Sequence, residues 1–146
     1  PGRSWRNSTG QPTSAATLAA GLPRVTVESL LSGDGLVRFH RAVADGSGLR
    51  EPDVSAADVT TLALDGDPAA LMAVICFWRL LARVAGDLAL VFKATGGVYL
   101  SGGIVPRLLP LAAKSALGSV FAGKPPMVPL FAPMWPSPAP VMGPAE

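Results

Sequence analysis

Cysteine is nearly absent, and that excludes much. Cys76 is the only one, so no intramolecular disulfide can form; between Ile75 and Phe77 it reads as a small buried hydrophobe in a reducing compartment. No local cationic or helix N-terminal setting would lower its pKa, which argues against a nucleophile. Histidine is equally scarce. His40 stands between Arg38 and Arg41 with no second histidine, cysteine or paired carboxylate nearby, so neither a His/Cys metal cluster nor a catalytic triad can be built on it, and a surface position is expected. Charged residues make up only 15% of the chain, with 12 basic against 10 acidic and a net charge of +2. They are scattered and form no Lys/Arg face, which removes nucleic acid as a partner.

The first 22 residues lack a basic segment followed by an apolar run, so no secretory signal is expected. The most membrane-like stretch, Ala69 to Phe92, is interrupted by Arg79, Arg83 and Asp87, a spacing that favours a buried helix over a bilayer span. No membrane association and a cytoplasmic location are therefore expected. No internal repeat is apparent.

What the chain does have is apolar material: 49% of its 146 residues are hydrophobic, ample for one core and no basis for wholesale disorder. Three regions follow. Residues 1–22 carry Gly, Pro, Ser and Asn without periodicity and read as an irregular or disordered segment. Residues 23–121 hold the domain structure. Residues 122–146 are crowded with proline, and at most one edge strand, near Val128 to Phe131, survives so many missing donors.

Within 23–121, Val25 and Val27 alternate briefly before the Gly-rich run VESLLSGDGL, which ends at Leu36. Leu36, Phe39, Val43 and Ala44 recur at helical spacing until Gly46 and Gly48. Ser55 opens a second helix in a capping-box-like arrangement that ends near Gly66. Asp67 before Pro68 is a cap followed by proline at the first helical position, and it opens the longest helix. Its apolar residues, among them Val74, Phe77, Trp78, Leu81 and Val84, cover most of the circumference, as in a helix buried in a larger body; Phe77 and Trp78 are core by default. Gly96 and Gly97 should end it. Val98 to Leu100 then predict a short buried strand delivering the Ser101-Gly102-Gly103 turn to a helix that starts at Pro106.

Two segments could carry chemistry. In GGVYLSGGIVP, glycines without a Cβ let a flat or charged ligand touch backbone beside a helix start; a packing turn reads the same way. In VESLLSGDGL, the Glu28 carboxylate could accept hydrogen bonds from sugar hydroxyls; a solvated glutamate near a turn fits equally. Arg107, just past the second turn, is either near a phosphate or simply solvated, and Trp135 is either an exposed tail residue or a peptide-docking anchor.

Taken together and in order, VESLLSGDGL, RAV, DLAL on the long helix and GGVYLSGGIVPR resemble the C-terminal large-lobe region of bacterial glucokinases, of the hexokinase and actin-like ATPase superfamily. The resemblance runs from about Val25 to about Phe121. It implies an α/β fold: a partial actin-like ATPase (ribonuclease H-like) domain with helices packed on a mixed β-sheet. It also implies ATP-dependent phosphorylation of the 6-hydroxyl of D-glucose, with ATP and Mg²⁺ as cofactors and D-glucose and ATP as partners, and leaves a homodimer of the full-length protein open. Glu28 falls on the family's glucose-binding glutamate; Ser32, Gly33 and Gly35 fall on its turn beside the nucleotide cleft, and Gly102 and Gly103 on its adenosine-motif glycines.

The reaction needs a carboxylate base, a metal and backbone donors along the phosphates. The family's Asp-Gly-Gly-Thr loop, Asn-Asp pair, Gly-Thr-Gly turn and Glu-Gly-Gly-His motif, all upstream of Val25, do not occur in these 146 residues. No catalytic residue and no metal ligand is therefore assigned here, the base is expected in a missing N-terminal part, and the chain alone is expected to be inactive. Shortening between Phe121 and Val128, and Trp135 where the family often has a histidine, put the last strand and closing helix outside its pattern. The alternative is a non-catalytic sugar- or nucleotide-binding or interaction module derived from a glucokinase.

Overall fold

In a computed structural model the structure describes residues 14–46 and 53–125. In order these are α1 (Ser14–Ala19), α2 (Val27–Leu30), α3 (Gly33–Gly46), α4 (Ala56–Leu64), α5 (Pro68–Val91), α6 (Val105–Leu108), a 3₁₀ helix (Leu109–Ser115) and α7 (Leu117–Ala122). No strand occurs among the described residues. The mixed sheet is thus not seen, and the expected strand at Val98 to Leu100 is exposed, irregular chain. The reason is physical: a strand exists only by pairing with another, and no partner lies beside it among the described residues. The edge strand near Val128, the Gly48 stop and Trp135 fall outside them.

Helix starts follow the local chemistry. Ser55 Oγ accepts from the Asp58 amide at 3.2 Å while Asp58 Oδ2 accepts from the Ser55 amide at 2.9 Å, a reciprocal cap for α4. Asp67 Oδ1 accepts from the Ala70 amide at 2.7 Å, with Pro68 beginning α5. The stretch expected as irregular before Pro23 contains α1, which lies on α3 with Thr17 Oγ1 donating to Asp45 Oδ2 at 3.0 Å.

Helix ends differ more. α5 stops at Val91, short of the glycines. Lys93, with φ 49°, takes the left-handed position, Ala94 N donates to Ala89 O at 2.9 Å and Lys93 N to Leu90 O at 3.2 Å, which closes the helix as a Schellman motif does. The helix expected from Pro106 lasts only to Leu108. Pro110 has no N–H to donate to the carbonyl four residues back and crowds it, so the chain tightens into the 3₁₀ helix.

α5 is the axis of the body and packs against α3, α4, the 3₁₀ helix and α7. Leu36, Val59, Val74, Trp78 and Leu108 are all but sealed from solvent in one cluster, and Ala82, Ala85, Ala89 and Phe121 form a second where α7 crosses α5. Trp78 Nε1 donates to the Leu108 carbonyl at 3.2 Å, so the buried indole N–H is satisfied and α6 is tied to α5. α5 is long and apolar enough to cross a membrane, but half of that window is buried inside the helical body, and Arg79, Arg83 and Asp87 lie exposed.

His40 is fully buried, not at the surface. Arg38 and Arg41 flank it in sequence, but helical geometry turns them aside, while Leu36, Phe39 and His40 share the stripe facing the core.

Candidate functional site

The run VESLLSGDGL folds as two helix starts in succession. Thr26 caps α2: its hydroxyl oxygen accepts from the Ser29 amide at 3.2 Å, and Ser29 Oγ accepts from the Thr26 amide at 2.9 Å. Ser32 then opens α3, with its Oγ accepting from the Gly35 amide at 3.1 Å and its carbonyl from the Leu36 amide at 3.0 Å. The glycines expected as a turn before the helix are therefore inside its first turn. Gly35 is buried because the Leu30 backbone fills the space a Cβ would take, with Leu30 Cα 2.6 Å from that position.

A cleft of about 360 Å³ opens here, lined by Leu22, Thr26, Glu28, Ser29, Ser32, Asp34 and Arg38. Glu28 and Ser32, two of the residues singled out from the sequence, thus share one cleft. Glu28 lies on the exposed first turn of α2. Arg38 is held in place by donating to the Ala20 carbonyl at 2.5 Å. A wall carrying carboxylates, hydroxyls and one guanidinium can both accept from and donate to a polyhydroxylated ligand. Thr26, Asp34 and Arg38 escaped the sequence reading. The signals were there: Thr26 and Ser29 at cap spacing, and Asp34 and Arg38 four residues apart on one helix face.

Gly102 and Gly103 do not line this cleft. They are exposed, with nothing within 4 Å of either would-be Cβ, and Gly102 has φ 128°, a backbone region that belongs to glycine. Gly33 connects the two segments: a methyl placed on it would meet Ala56 Cβ at 3.5 Å and Ile104 Cδ1 at 4.0 Å. The start of α3 and the turn that ends at Ile104 are therefore neighbours. Arg107 is exposed.

A second cleft, of about 580 Å³, lies where α7 meets α5, lined by Arg83, Asp87, Leu90, Val120, Gly123, Lys124 and Pro125. Lys124 Nζ bridges Asp87 Oδ1 at 2.5 Å and the Arg83 carbonyl at 2.9 Å. Among the described residues no group of three His, Cys, Asp or Glu side chains could hold a metal ion.

The family model described as Glucokinase matches residues 7–137. A glucokinase of Rhizobium etli is 43% identical over 104 residues, which is 70% of this chain and 30% of that protein. One of Nitrobacter hamburgensis is 43% identical over 103 residues, 70% of this chain and 32% of that protein. The crystal structure of a glucokinase from an Antarctic psychrotroph superposes with a TM-score of 0.75 at 28% identity, covering 84% of this chain and 38% of that one. The helical body superposes on part of that glucokinase structure. The chain belongs to the glucokinase family, and it spans about 30% of the length of the curated relatives it matches.

Proposed function

We propose that this chain is the C-terminal large-lobe part of a cytoplasmic glucokinase, which transfers the γ-phosphoryl group of ATP to the 6-hydroxyl of D-glucose. The observation that carries the reading is the family match across residues 7–137 together with Glu28 and Ser32 on one polar cleft. Glu28 accepts hydrogen bonds from glucose hydroxyls and fixes the sugar's orientation. Ser32 and Gly33 border the nucleotide side, and the open glycines Gly102 and Gly103 let the adenosine approach backbone without a Cβ in the way. Gly35 acts by letting the chain at Leu30 close on α3, which sets where Ser32 stands.

In the transfer, the bond from glucose O6 to the γ-phosphorus forms as the bond to the β,γ-bridging oxygen breaks. The hydroxyl proton passes to a carboxylate base outside these residues. Mg²⁺ bound to the phosphates would offset their charge, and none of the described residues is given a part in holding it.

D-glucose titrated into the chain, read by amide NMR shifts, tests the reading. Binding is expected at residues 26–38, with no glucose 6-phosphate formed from ATP by the chain alone. Glu28→Gln should weaken binding by about 10-fold or more, since a hydrogen bond to a charged acceptor contributes ~1.5–3 kcal/mol. Equal affinity in the variant, or no shift at any glucose concentration, would sink it.

A further inference from the structure

For a helix that carries Glu28, α2 has little hold on the body. None of its four residues is buried, and only the last of them, Leu30, packs on the core. The cap made by Thr26 and Ser29 closes its first turn on itself. The Glu28 end is therefore placed by the chain that leads into it from α1, residues 20–26, which supplies Leu22 and Thr26 to the cleft wall. Among the described residues, Arg38 makes the one side-chain hydrogen bond that reaches residues 20–28 from another element, its Nη1 donating to the Ala20 carbonyl at 2.5 Å. Asp34 stands one helical turn before Arg38 and lines the same cleft, yet among the described residues the guanidinium pairs with no carboxylate and is spent on that neutral carbonyl. A charged donor makes a shorter and stronger bond than a neutral one. Its base is firm, because Leu36 and Phe39, on either side of it in α3, are buried in the core cluster.

We infer that Arg38 is a positioning residue for sugar binding: by fixing the Ala20 carbonyl against α3 it holds residues 20–26, and through them sets the angle from which the Glu28 carboxylate accepts from a neutral sugar. The inference rests on the reading of Glu28 as the glucose ligand. It gives Arg38 a part that acts through Glu28 and not beside it, so the effects of the two residues on binding must be coupled.

The test is a double-mutant cycle on the whole chain, with D-glucose as the probe and amide NMR shifts as the readout. Arg38→Met keeps an apolar stem and a good helix former and removes the donor. It should weaken glucose binding about fivefold or more, because the carboxylate must then be ordered on binding. In a Glu28→Gln chain the same change should cost less than about twofold. Arg38→Lys keeps one charged donor, which is all that the Ala20 carbonyl uses, and should bind within about twofold of the unaltered chain. Without glucose, the Ala20 and Leu22 amides, bonded to the Thr17 and Ala19 carbonyls at 3.2 and 3.0 Å, should exchange at least about fivefold faster in Arg38→Met. The helical circular dichroism should stay unchanged. An equal loss in both backgrounds would mean that Arg38 touches the sugar itself or acts on the fold at large, and overturns the inference. So does unchanged binding or unchanged exchange in Arg38→Met, loss of its helical signal, or a lysine variant as weak as the methionine one. Each of these leaves the glucose reading standing, whereas an unaltered chain that binds no glucose removes both.

Discussion

Gly86→Ala separates two effects of opposite sign. Gly86 lies inside α5, where alanine would ordinarily stabilise the helix by roughly 1 kcal/mol. Here the added methyl would stand 2.5 Å from the Phe121 carbonyl oxygen and 3.0 Å from Lys124 Cε. The first contact is with backbone, so α7 must move away from α5. That move would loosen Phe121 in its buried cluster and the Lys124 bridge to Asp87 and the Arg83 carbonyl. Overpacking of this kind costs about 1–3 kcal/mol, and the lost bridge and opened cluster add to it, so the net effect is a loss of ~1–2 kcal/mol after the helix gain is subtracted. Thermal unfolding followed by circular dichroism at 222 nm should show Tm lowered by about 4–8 °C. Gly103→Ala, at an open position whose φ is not positive, should leave Tm within ~1 °C. A Gly86→Ala chain that melts at the same temperature or higher would refute the close approach of α7 to α5.

Three further outcomes follow from single side chains. Trp78→Phe leaves the Leu108 carbonyl without its buried donor, which should cost about 1–3 kcal/mol, read as a lower urea midpoint by circular dichroism; an unchanged midpoint would show the bond to be dispensable. The Ser55 hydroxyl and amide hold the Asp58 carboxyl below its usual 3.8. The folded value lies below the unfolded one, so this support of α4 is complete above pH 3.8 and lost as pH falls through the folded value. Carboxyl NMR should find Asp58 titrating below 3.8, with Ser55→Ala moving it up; titration at 3.8 in the unaltered chain would contradict the cap. Burial pushes the Cys76 thiol above its usual 9.0, against a smaller opposing effect of Arg79. Stability from the neutral thiol is therefore whole below pH 9.0 and lost as pH rises through the folded value. Disulfide-exchange labelling at pH 8 should be slower in the folded chain than in urea, and equal rates would overturn that.

What could be read from the sequence divides along the range of the forces involved. The starts of α4 and α5 were legible because a cap is local: Ser55 meets Asp58 three residues on, and Asp67 meets Ala70. The strand expected at Val98 did not appear, since a strand exists only by pairing and no partner lies beside it among the described residues. His40 was misplaced for a different reason. Its sequence neighbours are arginines, but its neighbours on the helix face are Leu36 and Phe39. Glu28 and Ser32 came from family resemblance and turn out to share a cleft, whereas Leu22 reaches it only because α1 and the chain after it lie on α3, a long-range contact that no local pattern carries.

The dependence of the site on α5 is indirect and therefore easy to overlook. α5 contributes no residue to the cleft at Glu28, yet Leu36 of α3 and Leu108 of α6 are both sealed in the cluster it organises. Trp78 bonds the carbonyl of Leu108, three residues beyond Val105 at the start of α6. Ser32 precedes α3 and Gly103 precedes α6, so the separation between these two segments is set by how the two helices sit on α5. Gly33, where an added methyl would be in ordinary contact with Ala56 and Ile104, lies between the two segments. A change in the α5 core should thus alter the spacing of the two motifs without touching either. That is a physical reason for the longest helix to lie among the most buried of the described residues.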